Sequence, residues 1–216
     1  MSEHDSNNHV PRAVVGRLSL YLRALLNLSV DRVATVSSAR FGKLVGVKPA
    51  QLRKDLAHFG QFGVRGKGYD VDKLARRIES ILGTDREQKV ALVGVGNLGR
   101  ALFSYKGFES RRFKIAAVFD SKLAGQRVPG SPLSIRPVGD LRRTAKKEGI
   151  RLGIIAVPAS AAQAVAREMG KAGIRGILNF APVRLSLPDG VRVENIDLSS
   201  GLESLSFGLR SRRRRG

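Results

Sequence analysis

Residues 89–99, KVALVGVGNLG, carry a short apolar run directly into Gly94-x-Gly96-x-x-Gly99, and a second apolar run, KIAAVFD, ends on Asp120 about twenty residues later. Few folds accommodate that order. The apolar run reads as a buried strand, the glycines allow a tight turn and a close backbone approach to a bound group, and the following helix aims its first N–H groups at negative charge. A carboxylate at the tip of the next strand then suits ribose hydroxyls. This is the pattern of a dinucleotide pocket in a Rossmann-type sheet, with the turn Gly94, Val95, Gly96 and Gly99 and the carboxylate of Asp120 as the cofactor-binding set. An acid at position 120 repels a 2′-phosphate, so NAD(H) is expected over NADP(H), although Lys122 and Arg127 stand nearby in sequence. Asp120 also has a plainer reading, as a turn former ahead of Ser121.

Helical and strand patterns alternate beyond the glycine turn. Helices are expected over about 97–107, 139–148 and 160–172, and strands over about 152–157, 176–178 and 191–196. Such alternation predicts an α/β fold with a parallel, doubly wound sheet. Ligands of these sheets lie at the carboxyl ends of strands, which adds Val157, Pro158, Asn179, Ala181 and Pro182 to the pocket wall. Pro158 and Pro182 serve equally well as loop punctuation.

The first eighty residues follow a different pattern. Residues 1–10 are polar and without periodicity, and are expected to be disordered. From Pro11, the apolar positions Val14, Leu18, Tyr21, Leu22, Leu25 and Leu28 recur at helical spacing. A second short helix capped by Ser37 or Ser38 runs to about 44, Val45-Gly46-Val47 makes a turn, and Pro49 opens a third helix to about 59. Two short helices around such a turn form a helix-turn-helix, whose second helix enters the major groove. The exposed face of that helix carries Lys48, Gln51, Arg53 and Lys54; Leu52, Leu56 and Phe59 fall on the core side. Residues 61–69, QFGVRGKGY, read as a glycine-punctuated hairpin, a wing with Arg65 and Lys67 at its tip. From Val36 to Gly68 there are seven Lys or Arg against one acid, Asp55, a local excess that favours phosphate contact over simple surface solvation. Residues 71–82 complete the domain as a helix.

A net charge of +21 favours a polyanionic partner, although about four of those charges belong to the terminal run Arg212–Arg215. There is no cysteine, which excludes disulfides, thiolate nucleophiles and cysteine-ligated zinc, and the three histidines, His4, His9 and His58, offer little for a metal site. No apolar run approaches bilayer length and no signal peptide opens the chain, so a cytoplasmic location is expected. A hydride-transfer enzyme usually places a proton donor or base beside its substrate, and the nucleotide half contains no histidine. A Tyr69-x-x-x-Lys73 pair of the short-chain dehydrogenase type lies upstream of the glycine turn, where it cannot serve that chemistry. No catalytic residue is expected.

The expected domains are a winged helix over 11–83, a linker over 84–88, a Rossmann unit over 89–197, an apolar-rich C-terminal helix over 198–210 and a basic tail over 211–216. The C-terminal segment, with Leu198, Leu202, Leu205, Phe207 and Leu209, can pack on its own sheet or reach a second subunit. Helix-turn-helix modules reading palindromes make a homodimer on double-stranded DNA the default.

RLSLYLRALLNL, AQLRKDLAHFGQFGVRGKGY, VGVGNLGRALFSYKGF, AGIRGILNFAP and VENIDL resemble, in order, segments of the Rex family of redox-sensing transcriptional repressors, from about Arg17 to Phe207. The resemblance implies a homodimer that binds operator DNA and leaves it when NADH replaces NAD+, with a domain-swapped C-terminal helix packed against the partner's nicotinamide region. It implies DNA contacts for Arg53, Lys54 and Arg65, cofactor contacts for Gly94, Gly96, Asn97, Leu98, Gly99 and Asp120, and a polar trio of Arg23, Tyr105 and Asp197 that couples nicotinamide state to domain orientation. Ala57 and His58 depart from the family's usual Ser and Tyr, and the tail SRRRRG lies outside the shared pattern. Two other functions compete with repression: an NAD-dependent oxidoreductase with an accessory basic domain, and a constitutive DNA binder whose nucleotide unit only dimerises.

Overall fold

Val14, Leu18, Tyr21, Leu25 and Leu28 lie along one face of α1 (Arg12–Val30) and are all buried. Each such side chain contributes about 1.5–3 kcal/mol of apolar transfer before its ordering cost. The computed structural model describes residues 10–63 and 67–213; the expectation for 1–10 therefore falls, but for Val10, outside the described residues. The chain divides into two units, Met1–Arg86 and Glu87–Gly216. In the first, the stretch Ala13–Val30 reaches a mean hydropathy of 1.3 and is long and apolar enough to cross a membrane, contrary to the sequence expectation. Its apolar face is used inside the unit instead, against α2 (Ser38–Val45) and α4 (Val71–Leu82), and Arg17 and Arg23 interrupt it.

The helix-turn-helix is built by local chemistry. Ser37 caps α2 by accepting the Arg40 N–H at 3.2 Å, Gly46 ends it at φ 68°, and Pro49 opens α3 (Pro49–Ala57). Close approach at the turn depends on Gly42, where a Cβ would stand 2.5 Å from the Val47 carbonyl oxygen. Helix α3 stops two residues before the expected end, because the Phe59 N–H turns back to the Leu56 carbonyl at 2.9 Å.

Residues 64–66, the centre of the expected hairpin, lie outside the described residues. Residues 61–63 form no strand; β2 (Tyr69–Asp70) pairs antiparallel with β1 (Thr35–Val36), ahead of α2. Two residues are too few to show strand periodicity, so β1 carries no sequence signal. Tyr69 is buried edge-on to Phe41 at 6.3 Å, while Lys73 pairs with Asp70 at 3.6 Å, so neither is placed for dehydrogenase chemistry.

The second unit is a six-stranded parallel sheet in the order β5-β4-β3-β6-β7-β8, built from β3 (Gln88–Val93), β4 (Phe113–Phe119), β5 (Ile135–Arg136), β6 (Leu152–Ile155), β7 (Gly176–Asn179) and β8 (Arg192–Asn195). Along β3, Ala91 and Val93 pack on one face with α7 (Leu141–Glu148) and α8 (Ala159–Lys171). Val90 and Leu92 pack on the other with Leu102 and Phe103 of α5 (Asn97–Phe103). Both faces are covered, as a parallel sheet requires. Strand order reverses between β3 and β6, which opens a crevice at their carboxyl ends.

Three details depart from the sequence expectation. Strand β3 begins at Gln88, inside the span expected to be linker. The helix expected to reach 107 breaks at Ser104 into α5 and a short α6 (Lys106–Glu109). Strand β5, two residues between Pro132 and Pro137, was too short to anticipate. The last helix, α9 (Leu198–Arg213), leaves Leu198, Leu202, Leu205, Phe207 and Leu209 between 67 % and 76 % exposed. Its apolar residues are not spent on its own sheet.

Candidate nucleotide pocket and nucleic-acid interface

The three glycines of the turn answer three different steric demands. Gly94 sits at φ 99°, and a Cβ there would collide with the Ala156 carbonyl and approach Val157 Cγ1 to 2.9 Å; one on Gly99 would collide with the Gly94 carbonyl oxygen. Gly96 has an ordinary φ of −66° and nothing within 4 Å of a Cβ, so it borders open space at the crevice. Helix α5 begins directly after it, and Asn97, Leu98 and Gly99 supply first-turn N–H groups without intrahelical acceptors. An open backbone edge beside a helix N-terminus is what a pyrophosphate needs. Val95 is buried beneath the turn.

Asp120 closes the far side. Its Oδ2 accepts the Val95 N–H at 2.8 Å, and its Oδ1 accepts the N–H groups of Lys122 at 2.8 Å and Leu123 at 3.1 Å. Burial pushes the carboxyl pKa up, but these donors and the Lys122 charge outweigh it and hold the group below its ordinary value. The side chain is thus a fixed anion with acceptor capacity left on Oδ2, suited to a ribose hydroxyl and hostile to a ribose phosphate.

The remaining wall residues divide by what they offer. Val157 lies half-buried under Gly94, Pro158 and Pro182 are exposed, and Ala181 is buried. Asn179 is fully buried and staples the loop after β7. It donates to the carbonyls of Ala181 at 3.1 Å and Val183 at 2.9 Å and to Asn195 Oδ1 at 2.9 Å, and it accepts the Ala181 N–H at 3.0 Å. Its side chain shapes the wall and is already occupied. Tyr105 is 58 % exposed, edge-on to Phe108 at 5.2 Å and lying over Gly107. Asp197 Oδ1 caps α9 by accepting the Ser199 hydroxyl at 2.6 Å and N–H at 2.9 Å, which hold its pKa below the ordinary carboxylate range. Arg23 is exposed on α1, in the other unit. Among the described residues, no hydrogen bond joins Tyr105 to Asp197.

On the helix-turn-helix, Lys48, Gln51, Arg53 and Lys54 are all exposed, as is Lys67 ahead of β2. Arg53 Nη1 donates to Ser38 Oγ at 3.1 Å, which ties this cation to the first turn of α2. Arg65 lies outside the described residues. His58 is half-buried beside Phe59, with no part in either site. Sequence reasoning missed Asp55, the fully buried acid of α3, which binds Arg17, Tyr21 and Gln51. Its signal was position: 55 shares the helix face of Leu52, Leu56 and Phe59, where an acid needs a partner.

Residues 9–57 match a family model for a DNA-binding protein N-terminus and residues 85–183 match one for a CoA binding domain. A redox-sensing transcriptional repressor Rex from Desulforamulus reducens is 48 % identical over 202 residues, 93 % of this chain and 95 % of the relative. The chain belongs to the Rex family. A Rex from Syntrophobacter fumaroxidans is 46 % identical over 93 % of this chain and 96 % of its own length. Among solved structures, RSP in complex with β-NAD+ and operator DNA is similar to this chain at a TM-score of 0.88 and 34 % identity, with 94 % of each chain covered. RSP in complex with β-NADH is similar at 0.82 and 33 %, with 95 % and 96 % covered. The winged helix-turn-helix followed by a doubly wound Rossmann sheet is therefore the Rex architecture.

Proposed function

We propose that this chain is a redox-sensing repressor: a homodimer that holds operator DNA through α3 and the wing and releases it when NADH replaces NAD+. The observation that carries the reading is the crevice itself, open at Gly96 and closed by the Asp120 carboxylate, on the same chain as a helix-turn-helix that exposes Lys48, Gln51, Arg53 and Lys54. The relatives are named as repressors, and the chain is a regulator rather than an enzyme.

Gly94, Gly96 and Gly99 with the first turn of α5 hold the pyrophosphate, Asp120 the adenosine ribose, and Val157, Pro158, Asn179, Ala181 and Pro182 the wall toward the nicotinamide. The bound nicotinamide differs by one charge and by ring planarity between its two redox forms. Tyr105, Asp197 and Arg23 respond to that difference and set the orientation of the reading domains. A ligand shifts such an equilibrium only by its differential affinity for the two states. Arg53, Lys54, Lys48, Gln51, Lys67 and Arg65 make the DNA contacts, and once the two reader helices lose register with successive major grooves, both cannot dock together.

The working boundaries are a winged helix over 11–83, a linker over 84–87, a Rossmann unit that opens with β3 at Gln88 and runs to 197, and a dimerisation helix over 198–210 that crosses to the partner. The site of action is the cytoplasm, where the chromosomal target lies. The match to a CoA binding domain raises CoA as a second ligand; its ribose phosphate meets the same Asp120 repulsion as NADP(H) and is disfavoured.

The test is titration of an operator duplex at fixed salt with NAD+, NADH and CoA in turn. Release by NADH alone supports the reading. Operator dissociation constants that are equal with every ligand and with none refute it.

A further inference from the structure

In the last turn of α3 sits a carboxylate that reaches no solvent. Asp55 is 0 % exposed, and its two oxygens accept from Arg17 Nε, from Arg17 Nη2 at 2.8 Å, from Tyr21 Oη at 2.7 Å and from Gln51 Nε2 at 2.7 Å. Arg17 and Tyr21 belong to α1; Gln51 lies one turn back on α3, at its exposed side. Buried ion pairs contribute little net stability, because desolvation of both charges offsets their attraction, and apolar replacements are often as stable. What this one fixes is geometry. A two-pronged guanidinium contact plus a phenol sets the rotation of α3 against α1 more narrowly than contact between apolar side chains does. A carboxylate only accepts, so the amide nitrogen of Gln51 must face Asp55 while Oε1 turns away.

We infer that Asp55 is a positioning residue for sequence readout, setting the rotation of α3 and the amide orientation of Gln51 before DNA is met. The inference rests on the reading of α3 as the reader helix. The Gln51 edge so fixed, an acceptor with the second amide proton beside it, matches adenine, which offers a donor and an acceptor in the major groove. Asp55 therefore contributes to discrimination between sequences and little to phosphate affinity, which Lys48, Lys54 and Lys67 supply.

The experiment measures dissociation constants of the full-length protein at one salt for two duplexes: one that the wild type enriches from a random pool, and one scrambled. Asp55→Asn and the apolar pair Arg17→Met/Asp55→Leu are compared with wild type. In both, the selectivity ratio falls about tenfold while the scrambled-duplex constant stays within about twofold and NADH binding is unchanged. Partial unfolding weakens both duplexes by one factor and leaves the ratio intact, so a purely structural role does not move this readout. In a Gln51→Ala background, Asp55→Asn costs less selectivity than it does alone. Should neither variant fold, Tyr21→Phe, which removes one bond to the carboxylate and keeps the ring, shows a smaller fall in the same ratio. Wild-type selectivity in folded Asp55→Asn, or in Tyr21→Phe when that is the variant read, overturns the inference; a wild type that enriches no sequence overturns the reader helix itself.

Discussion

Asp120 Oδ2 accepts the Val95 N–H at 2.8 Å, so the carboxylate at the tip of β4 is tied to the glycine turn at the tip of β3. One side chain thus sets the loop that meets the phosphates and also faces the ribose. Removing it undoes both.

Asp120→Ala is expected to weaken NADH binding about 10- to 100-fold, the worth of one or two charge-assisted hydrogen bonds, and to narrow the preference for NADH over NADPH. Calorimetric titration with each nucleotide checks this; an unchanged preference would show that the carboxylate does not face the ribose.

Gly96→Leu places its side chain in open space with no backbone strain, so the protein should fold, lose NADH affinity and keep operator binding that NADH no longer relieves. Gly99→Ala instead meets the Gly94 carbonyl and should cost about 1–3 kcal/mol of stability. Thermal melts paired with NADH titrations separate the two.

Arg53→Ala should weaken operator binding by about 1–3 kcal/mol and spare NADH binding, whereas Lys67→Ala should lower the slope of log affinity against log salt by about one. Fluorescence anisotropy across a salt series distinguishes them. Equal effects on NADH in either variant would point to misfolding.

Asp55 is held at about 2, below its ordinary 3.8: burial pushes it up, but the bonds from Arg17, Tyr21 and Gln51 prevail. Because the folded value lies below the unfolded one, its stabilisation is complete above about pH 4 and is lost as pH falls toward 2, a change of about 2 kcal/mol. Melting the wild type and Asp55→Asn through that range should show the wild type losing its extra stability and the variant lacking that step.

Leu202→Asp with Leu205→Asp, on the exposed row of α9, should turn the dimer into monomers that bind operator far more weakly. Light scattering after gel filtration measures the mass; a dimer that survives both changes moves the interface elsewhere.

The glycine turn and Asp120 were legible because their constraints are written in residue type: no side chain fits at Gly94 or Gly99, and only an anion rejects a second phosphate. The doubly wound sheet was legible in the alternation of its elements. Strands β1 and β5 were not, since two residues show no period and their pairing partners are remote in sequence. The break between α5 and α6 was hidden because the apolar spacing of Leu98, Leu102 and Phe103 runs up to it without a proline. Asp55 was read only as a count against seven cations. Its burial depends on Arg17, 38 residues earlier, and no local pattern joins the two.

Five unsheltered apolar side chains on α9 give one subunit a surface that water disfavours, and on the proposed reading a second copy is what relieves it. Assembly must therefore rise with the number of molecules in the cell. Scarcity then silences the switch whatever the coenzyme pool is doing, and synthesis rate becomes a dial on transcription alongside metabolism.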